Sequence, residues 1–213
     1  EYDYSQLGET WSSPRIFRLP TDGPKDTDIK DDRYVAVMGG GYGTQFEGVG
    51  NALFLIDLED ITLPGSLEKV IEVEDSLASD IVNSTPGTTV VVTPDTARGL
   101  NFTGALVYLN DFEGKITKFN LTNMATDNSG KKINLYDNTT LFWAGSTKSN
   151  GRYMYHSMDA AIGGATNSLW LYAGTGDYER IADRSTGVQN LLLGIKDENY
   201  PFYKDVDGAT EPT

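Results

Sequence analysis

The side chains in this sequence best suited to chemistry are loop carboxylates. Calcium takes six or more oxygens from loop carboxylates and carbonyls. Three stretches offer them: Asp22, Asp26, Asp28, Asp31 and Asp32; Asp127 with Asn128; and Asp205, Asp207 and Glu211. The run Asp205-Val206-Asp207-Gly208 has alternate carboxylates and a glycine for the bend. Asp205 and Asp207 are therefore the candidate metal ligands, and calcium is the one cofactor they would suit. The run lacks the full spacing of a calcium loop, and a solvated acidic loop accounts for the same residues.

Other reactive constellations fail on spacing. His156 is the single histidine, with Ser157 beside it and Asp159 close by. Neighbours in an extended segment point to opposite faces, so these three do not form a triad. The run Gly39-Gly40-Gly41-Tyr42-Gly43 fits no G-x-G-x-x-G and is followed by no Gly-Lys-Ser/Thr. It joins strand to strand, which makes it a turn rather than a phosphate cradle. Glu113-Gly114-Lys115 likewise reads as a hairpin turn. Asn83, Asn101, Asn120 and Asn138 each begin an N-x-[ST] sequon, a glycan site in a eukaryotic secreted protein and a chance occurrence in an Asn- and Thr-rich bacterial β chain. The expectation is a protein without catalytic residues.

Composition narrows the partners. The 213 residues carry 17 Lys plus Arg against 31 Asp plus Glu, a formal net charge of −14. That surface repels phosphate backbones and anionic lipid, so neither nucleic acid nor a membrane surface is an expected partner. With no cysteine there are no disulfides, zinc ribbons or thiol nucleophiles. No apolar run approaches the ~20 residues of a membrane span.

The elements that position these side chains read as strands. Helical periodicity is nearly absent, and residues 76–81 (SLASDI) are the best short candidate. Short β-branched or aromatic runs lie at 33–38, 52–58, 69–74, 88–93, 105–109, 115–121, 141–144, 168–173 and 190–195. They fall into three copies of one pattern. Each copy enters from a Pro or small-residue corner. Its second strand ends in a Gly- or Asp-rich turn, at 39–43, 110–114 and 174–177. Its third strand closes on a polar residue: Asp57, Asn120 or Asp197.

A repeat of this size reads as a four-stranded antiparallel propeller blade, because one such sheet must stack on the next to bury both faces. The fold class is thus all-β, with about three blades forming part of a larger propeller. Blade-like repeats are expected at about 8–75, 83–147 and 153–197, within a partial propeller over 1–203, followed by a polar tail at 204–213. An irregularly spaced β-sandwich is the competing architecture. Val35, Val37, Leu53, Leu55, Val107, Leu169, Leu171 and Leu192 are the expected core. Three blades do not close a ring, so the outer faces of the first and third sheets are expected bare. The aromatic run at 199–203 has no evident strand partner.

Several motifs resemble the carboxy-terminal propeller of the PilC/PilY family of type IV pilus adhesins. They are Gly8-Glu9-Thr10-Trp11-Ser12-Ser13-Pro14, Val35-Ala36-Val37-Met38-Gly39-Gly40-Gly41-Tyr42 and Leu53-Phe54-Leu55-Ile56-Asp57. Then come Val107-Tyr108-Leu109-Asn110-Asp111-Phe112-Glu113-Gly114-Lys115 and Tyr172-Ala173-Gly174-Thr175-Gly176-Asp177-Tyr178, followed by Gly194-Ile195-Lys196-Asp197. They occur in the family's order over residues 8–197. The resemblance implies a protein outside the cell or on its surface, serving pilus assembly or attachment. Its implied partners are pilus subunits or further domains of a longer adhesin. The family's calcium loop would fall on Ala97, Gly99, Asn101 and Ala105, of which only Asn101 could ligate. Two alternatives stand beside this reading: a quinoprotein-type propeller enzyme and a secreted glycan-binding propeller. Trp11, Trp143 and Trp170 occupy unlike positions in their repeats, which disfavours the enzyme.

Overall fold

The computed structural model describes residues 2–20, 30–43, 48–73, 79–94, 102–124, 133–164, 168–178 and 189–203. Eleven strands form three antiparallel sheets among these residues. The first sheet orders β1 (Arg15–Leu19), β2 (Arg33–Gly39), β3 (Ala52–Asp57) and β4 (Leu67–Glu72). The second orders β5 (Val90–Val92), β6 (Gly104–Asn110), β7 (Lys115–Thr122) and β8 (Asn138–Trp143). The third holds β9 (Asp159–Gly163), β10 (Ser168–Gly174) and β11 (Leu192–Asp197), with β10 central. The protein is all-β, built of blade-like antiparallel sheets. The third sheet shows three strands among the described residues rather than the expected four.

Side-chain alternation explains the stacking. Ala105, Val107 and Leu109 of β6, with Phe119 and Leu121 of β7, face the first sheet. There they meet Val35, Val37, Leu53 and Leu55. Leu106, Tyr108 and Ile116 point the other way, onto Leu169, Leu171 and Ala173 of the third sheet. Every residue of β6 and β7 is consequently buried. This is why β6 reads as a continuous apolar run rather than an alternating one.

Three expectations are corrected. Leu192 is 90% exposed, not core. It opposes Gly174 at the end of β11, and alternation turns it away from Leu169 and Leu171. The outer face of the first sheet is covered rather than bare. Tyr4 stacks on Phe54 with ring centroids 6.1 Å apart, and its hydroxyl donates to the Gly65 carbonyl at 2.7 Å. Leu7 packs on the same patch of Met38, Ala52 and Phe54. The aromatic run at 199–203 is also anchored. Tyr203 is fully buried between the second and third sheets, and the Phe202 carbonyl accepts a hydrogen bond from Lys118 Nζ at 2.8 Å. On the outer face of the third sheet Tyr172 and Leu192 are exposed. Of the helix candidate only residues 79–81 are described, and they are not helical.

Repeat-equivalent residues join the sheets. Ser13, Thr88 and Ser157 each lie two positions before the first strand of their sheet. The Ser13 amide donates to the Thr88 hydroxyl at 3.0 Å, and the Thr88 amide donates to the Ser157 hydroxyl at 2.7 Å. The polar residues expected to close the third strands act alike as well, although β7 runs two residues past Asn120. Asp57, Asn120 and Asp197 are all buried. Each accepts the amide two residues on, from Glu59, Thr122 and Asn199 respectively, in an Asx turn.

Candidate functional site

The turns that follow the second strands bring aromatic rings to one end of all three sheets. Tyr42 follows β2, Phe112 sits in the β6–β7 turn, and Tyr178 follows β10. Trp11, before β1, and Tyr153 and Tyr155, before β9, complete a continuous strip. Centroid separations are 6.2 Å for Trp11–Tyr42, 5.6 Å for Tyr42–Phe112, 4.4 Å for Phe112–Tyr155 and 6.1 Å for Tyr155–Tyr178. Tyr153 stacks on Phe112 at 5.7 Å. These separations suit offset and edge-to-face ring pairs. Phe112 is buried at the centre, whereas Trp11 and Tyr178 at the ends are 65% and 64% exposed.

The backbone holds each ring in place. Glu9 and Tyr42 exchange both amide hydrogen bonds at 2.8 Å, which fixes Trp11 next to Tyr42. Gly41 has φ +95, and a Cβ there would meet the Glu9 carbonyl at 2.7 Å, so this position requires glycine. The Phe112 amide donates to the Ser84 carbonyl at 3.0 Å. Asn110 Nδ2 donates to the carbonyls of Met154 and His156 at 3.1 and 3.0 Å, clamping the segment that carries Tyr155.

Beneath Phe112 lies a buried polar turn. Asp111 accepts from the Lys115 amide at 2.9 Å and from Asn83 Nδ2 at 3.1 Å. Lys115 Nζ pairs with Glu113 at 2.6 Å and lies 3.8 Å from Asp111. The Glu113 carbonyl accepts from Trp143 Nε1 at 2.9 Å. Burial pushes the Asp111 carboxyl up to about 6, against the pull of Lys115 and Asn83. The sequence motif Asn110–Lys115 thus builds a pedestal for one ring.

The sequence-derived site residues do not converge on this end. Asp205 and Asp207 lie outside the described residues, as do Asp22, Asp26, Asp28, Asn101, Asp127, Asn128 and Glu211. Asp32 is paired with Arg18 at 2.7 Å. No group of three or more His, Cys, Asp and Glu side chains placed to hold a metal occurs among the described residues. His156 is exposed, and its carbonyl accepts the bond from Asn110. Ser157 serves as the hydroxyl that receives the Thr88 amide. The sequon residues Asn83 and Asn120 are buried in hydrogen-bonded positions. Sequence reasoning passes over the ring strip. The signal that could have found it is an aromatic residue in or just after each of the three repeat-equivalent turns.

Two further concavities stand apart from the strip. A groove of about 450 Å³ separates β5 from β9 and is lined by Arg15, Val91, Ser157, Asp159 and Ile162. An acidic depression of about 360 Å³ holds Asp31, Asp32, Asp57, Glu59 and Asp60 with Lys30 and Arg33.

Two four-stranded sheets and one three-stranded sheet, stacked and linked by repeat-equivalent residues, define a propeller-type scaffold. Comparison with solved structures finds a matching fold in the C-terminal domain of PilY1 from Pseudomonas aeruginosa. The TM-score is 0.56 at 16% sequence identity, over 92% of this chain and 38% of that one. This chain is therefore distantly similar in structure to that domain and spans less than half its length. No protein-family model and no curated protein matches the sequence.

Proposed function

We propose that this chain is a non-catalytic part of a type IV pilus-associated protein of the cell surface, serving attachment or pilus assembly. One observation carries the reading: the likeness of fold to the PilY1 C-terminal domain over 92% of the chain. The motifs quoted for the family run in order through the same three sheets. In this reading the partners are pilus subunits or further domains of a longer adhesin, and the outer face of the third sheet meets one of them. Removing residues 8–197 from the encoded protein in its source organism is expected to reduce surface pili or attachment. Normal piliation together with normal attachment would overturn the proposal. So would a bound quinone in the purified protein, read by its absorbance, with turnover of an alcohol substrate.

A further inference from the structure

We infer that the aromatic strip from Trp11 to Tyr178 is a binding platform for uncharged oligosaccharide. The inference rests on the adhesive reading and names the ligand class for it. Three observations carry it. The strip crosses all three sheets, with Tyr42 and Tyr155 partly exposed between the end rings and Phe112 buried at its centre. Its end rings, on Trp11 and Tyr178, are the most exposed, as stacking partners for a ligand must be. Tyrosine and tryptophan present an apolar face with a polar edge. That combination matches a sugar ring, which has a C–H face and a rim of hydroxyls.

The main chain beside the rings argues against an extended peptide. A peptide that adds to a sheet needs unpaired amides and carbonyls. Here the amides of Glu9, Gly41, Tyr42, Phe112, Gly114, Thr175 and Gly176 already donate within the protein. Recognition along the strip therefore falls to ring faces and hydroxyls. Charge selects among sugars, because a net charge of −14 disfavours uronic-acid and sialylated chains.

The main chain that carries Tyr42, Phe112 and Tyr155 is held by hydrogen bonds before any ligand arrives. Phe112 is held by the Ser84 carbonyl, Tyr42 by Glu9, and the segment carrying Tyr155 by Asn110. Binding then orders little main chain at these rings, and more of each ring contact is kept as affinity.

The test is calorimetric titration of the purified protein with neutral hexasaccharides of glucose, mannose, galactose and N-acetylglucosamine. Hexagalacturonate and a proline-rich decapeptide serve as controls. At least one neutral sugar is expected to bind, and hexagalacturonate is not. Trp11→Ala and Tyr178→Ala, at exposed positions, are each expected to weaken that binding about tenfold while leaving the melting temperature unchanged. The inference falls if no neutral sugar binds, if both variants bind like the parent, or if only the proline-rich peptide binds. The titration uses no pili, so its failure leaves the piliation experiment unaffected, and the reverse holds too.

Discussion

Asp111 is fully buried and holds its proton to about pH 6, because loss of solvent outweighs the help from Lys115 and Asn83. An unfolded aspartate loses its proton near ~3.9. Between about pH 4 and pH 6 the folded protein therefore binds more protons at this group than the unfolded chain does. The Asp111 contribution to stability is greatest below about pH 4, falls as pH rises through that window, and levels off above about 6. Urea titrations of the parent and Asp111→Asn at several pH values check this. The stability difference is expected to move in favour of the variant as pH rises from about 4 to about 6. Movement the other way would mean that Lys115 and Asn83 dominate. Only part of this was legible in the sequence. Asn110–Lys115 reads as a turn from its Gly and Asp content, but a turn is ordinarily wet. Its burial comes from Ser84 and Trp143, which are distant in the chain. Leu192 shows the opposite error. An apolar residue inside an apolar run reads as core until strand alternation fixes which way it points.

Among the elements, β7 and β11 are tied by a buried ion pair. Lys118 Nζ lies 2.6 Å from Asp197, and the Tyr108 hydroxyl donates to the same carboxylate oxygen at 2.7 Å. Burial lowers the ammonium's affinity for its proton, and Asp197 opposes that. Burial, with Asp197 beside it, raises the Tyr108 phenol, keeping it a donor. Removing one charge leaves the other uncompensated in the interior. Lys118→Met is expected to cost about 3–5 kcal/mol in denaturant unfolding. Lys118→Met with Asp197→Asn is expected to recover most of that loss, because the remaining amide oxygen still accepts from Tyr108. A single variant as stable as the parent would show that the seam is held by apolar contact alone. The strands themselves were largely legible. Runs 33–38, 105–109, 115–121 and 168–173 match β2, β6, β7 and β10 closely, because β-branched and aromatic residues bounded by turn residues mark these central strands. Edge strands carry less signal. β4 begins two residues before the expected 69, and β8 begins three before 141. The polar ends Asp57, Asn120 and Asp197 were visible as a repeat, but their shared Asx turn and the salt bridge of Asp197 depend on what packs above them.

The three-sheet stack as a whole is unequal at its two ends. Residues 2–8 cover the outer face of the first sheet, while Tyr172 and Leu192 stand exposed on the third. An exposed apolar sheet face promotes association. Sedimentation of the isolated chain is expected to show concentration-dependent self-association that Tyr172→Lys with Leu192→Lys suppresses. A parent that stays monomeric at every concentration would contradict this. The repeat of about three sheets was readable from turn chemistry and spacing, whereas the covering of one end by Tyr4 and Leu7 was not, since no periodic pattern marks those residues. The Ser13–Thr88–Ser157 bonds have a mechanical consequence. They lie in series from sheet to sheet, while the strands within each sheet share load in parallel. Under tension between the ends of the chain, the sheets are the stiff links and the seams are the joints. The first event is then expected to be separation at a seam, followed by unravelling of the freed sheet. Extension in steps of one sheet's length is the expected record when the isolated chain is stretched between its ends, and a single all-at-once rupture would contradict it.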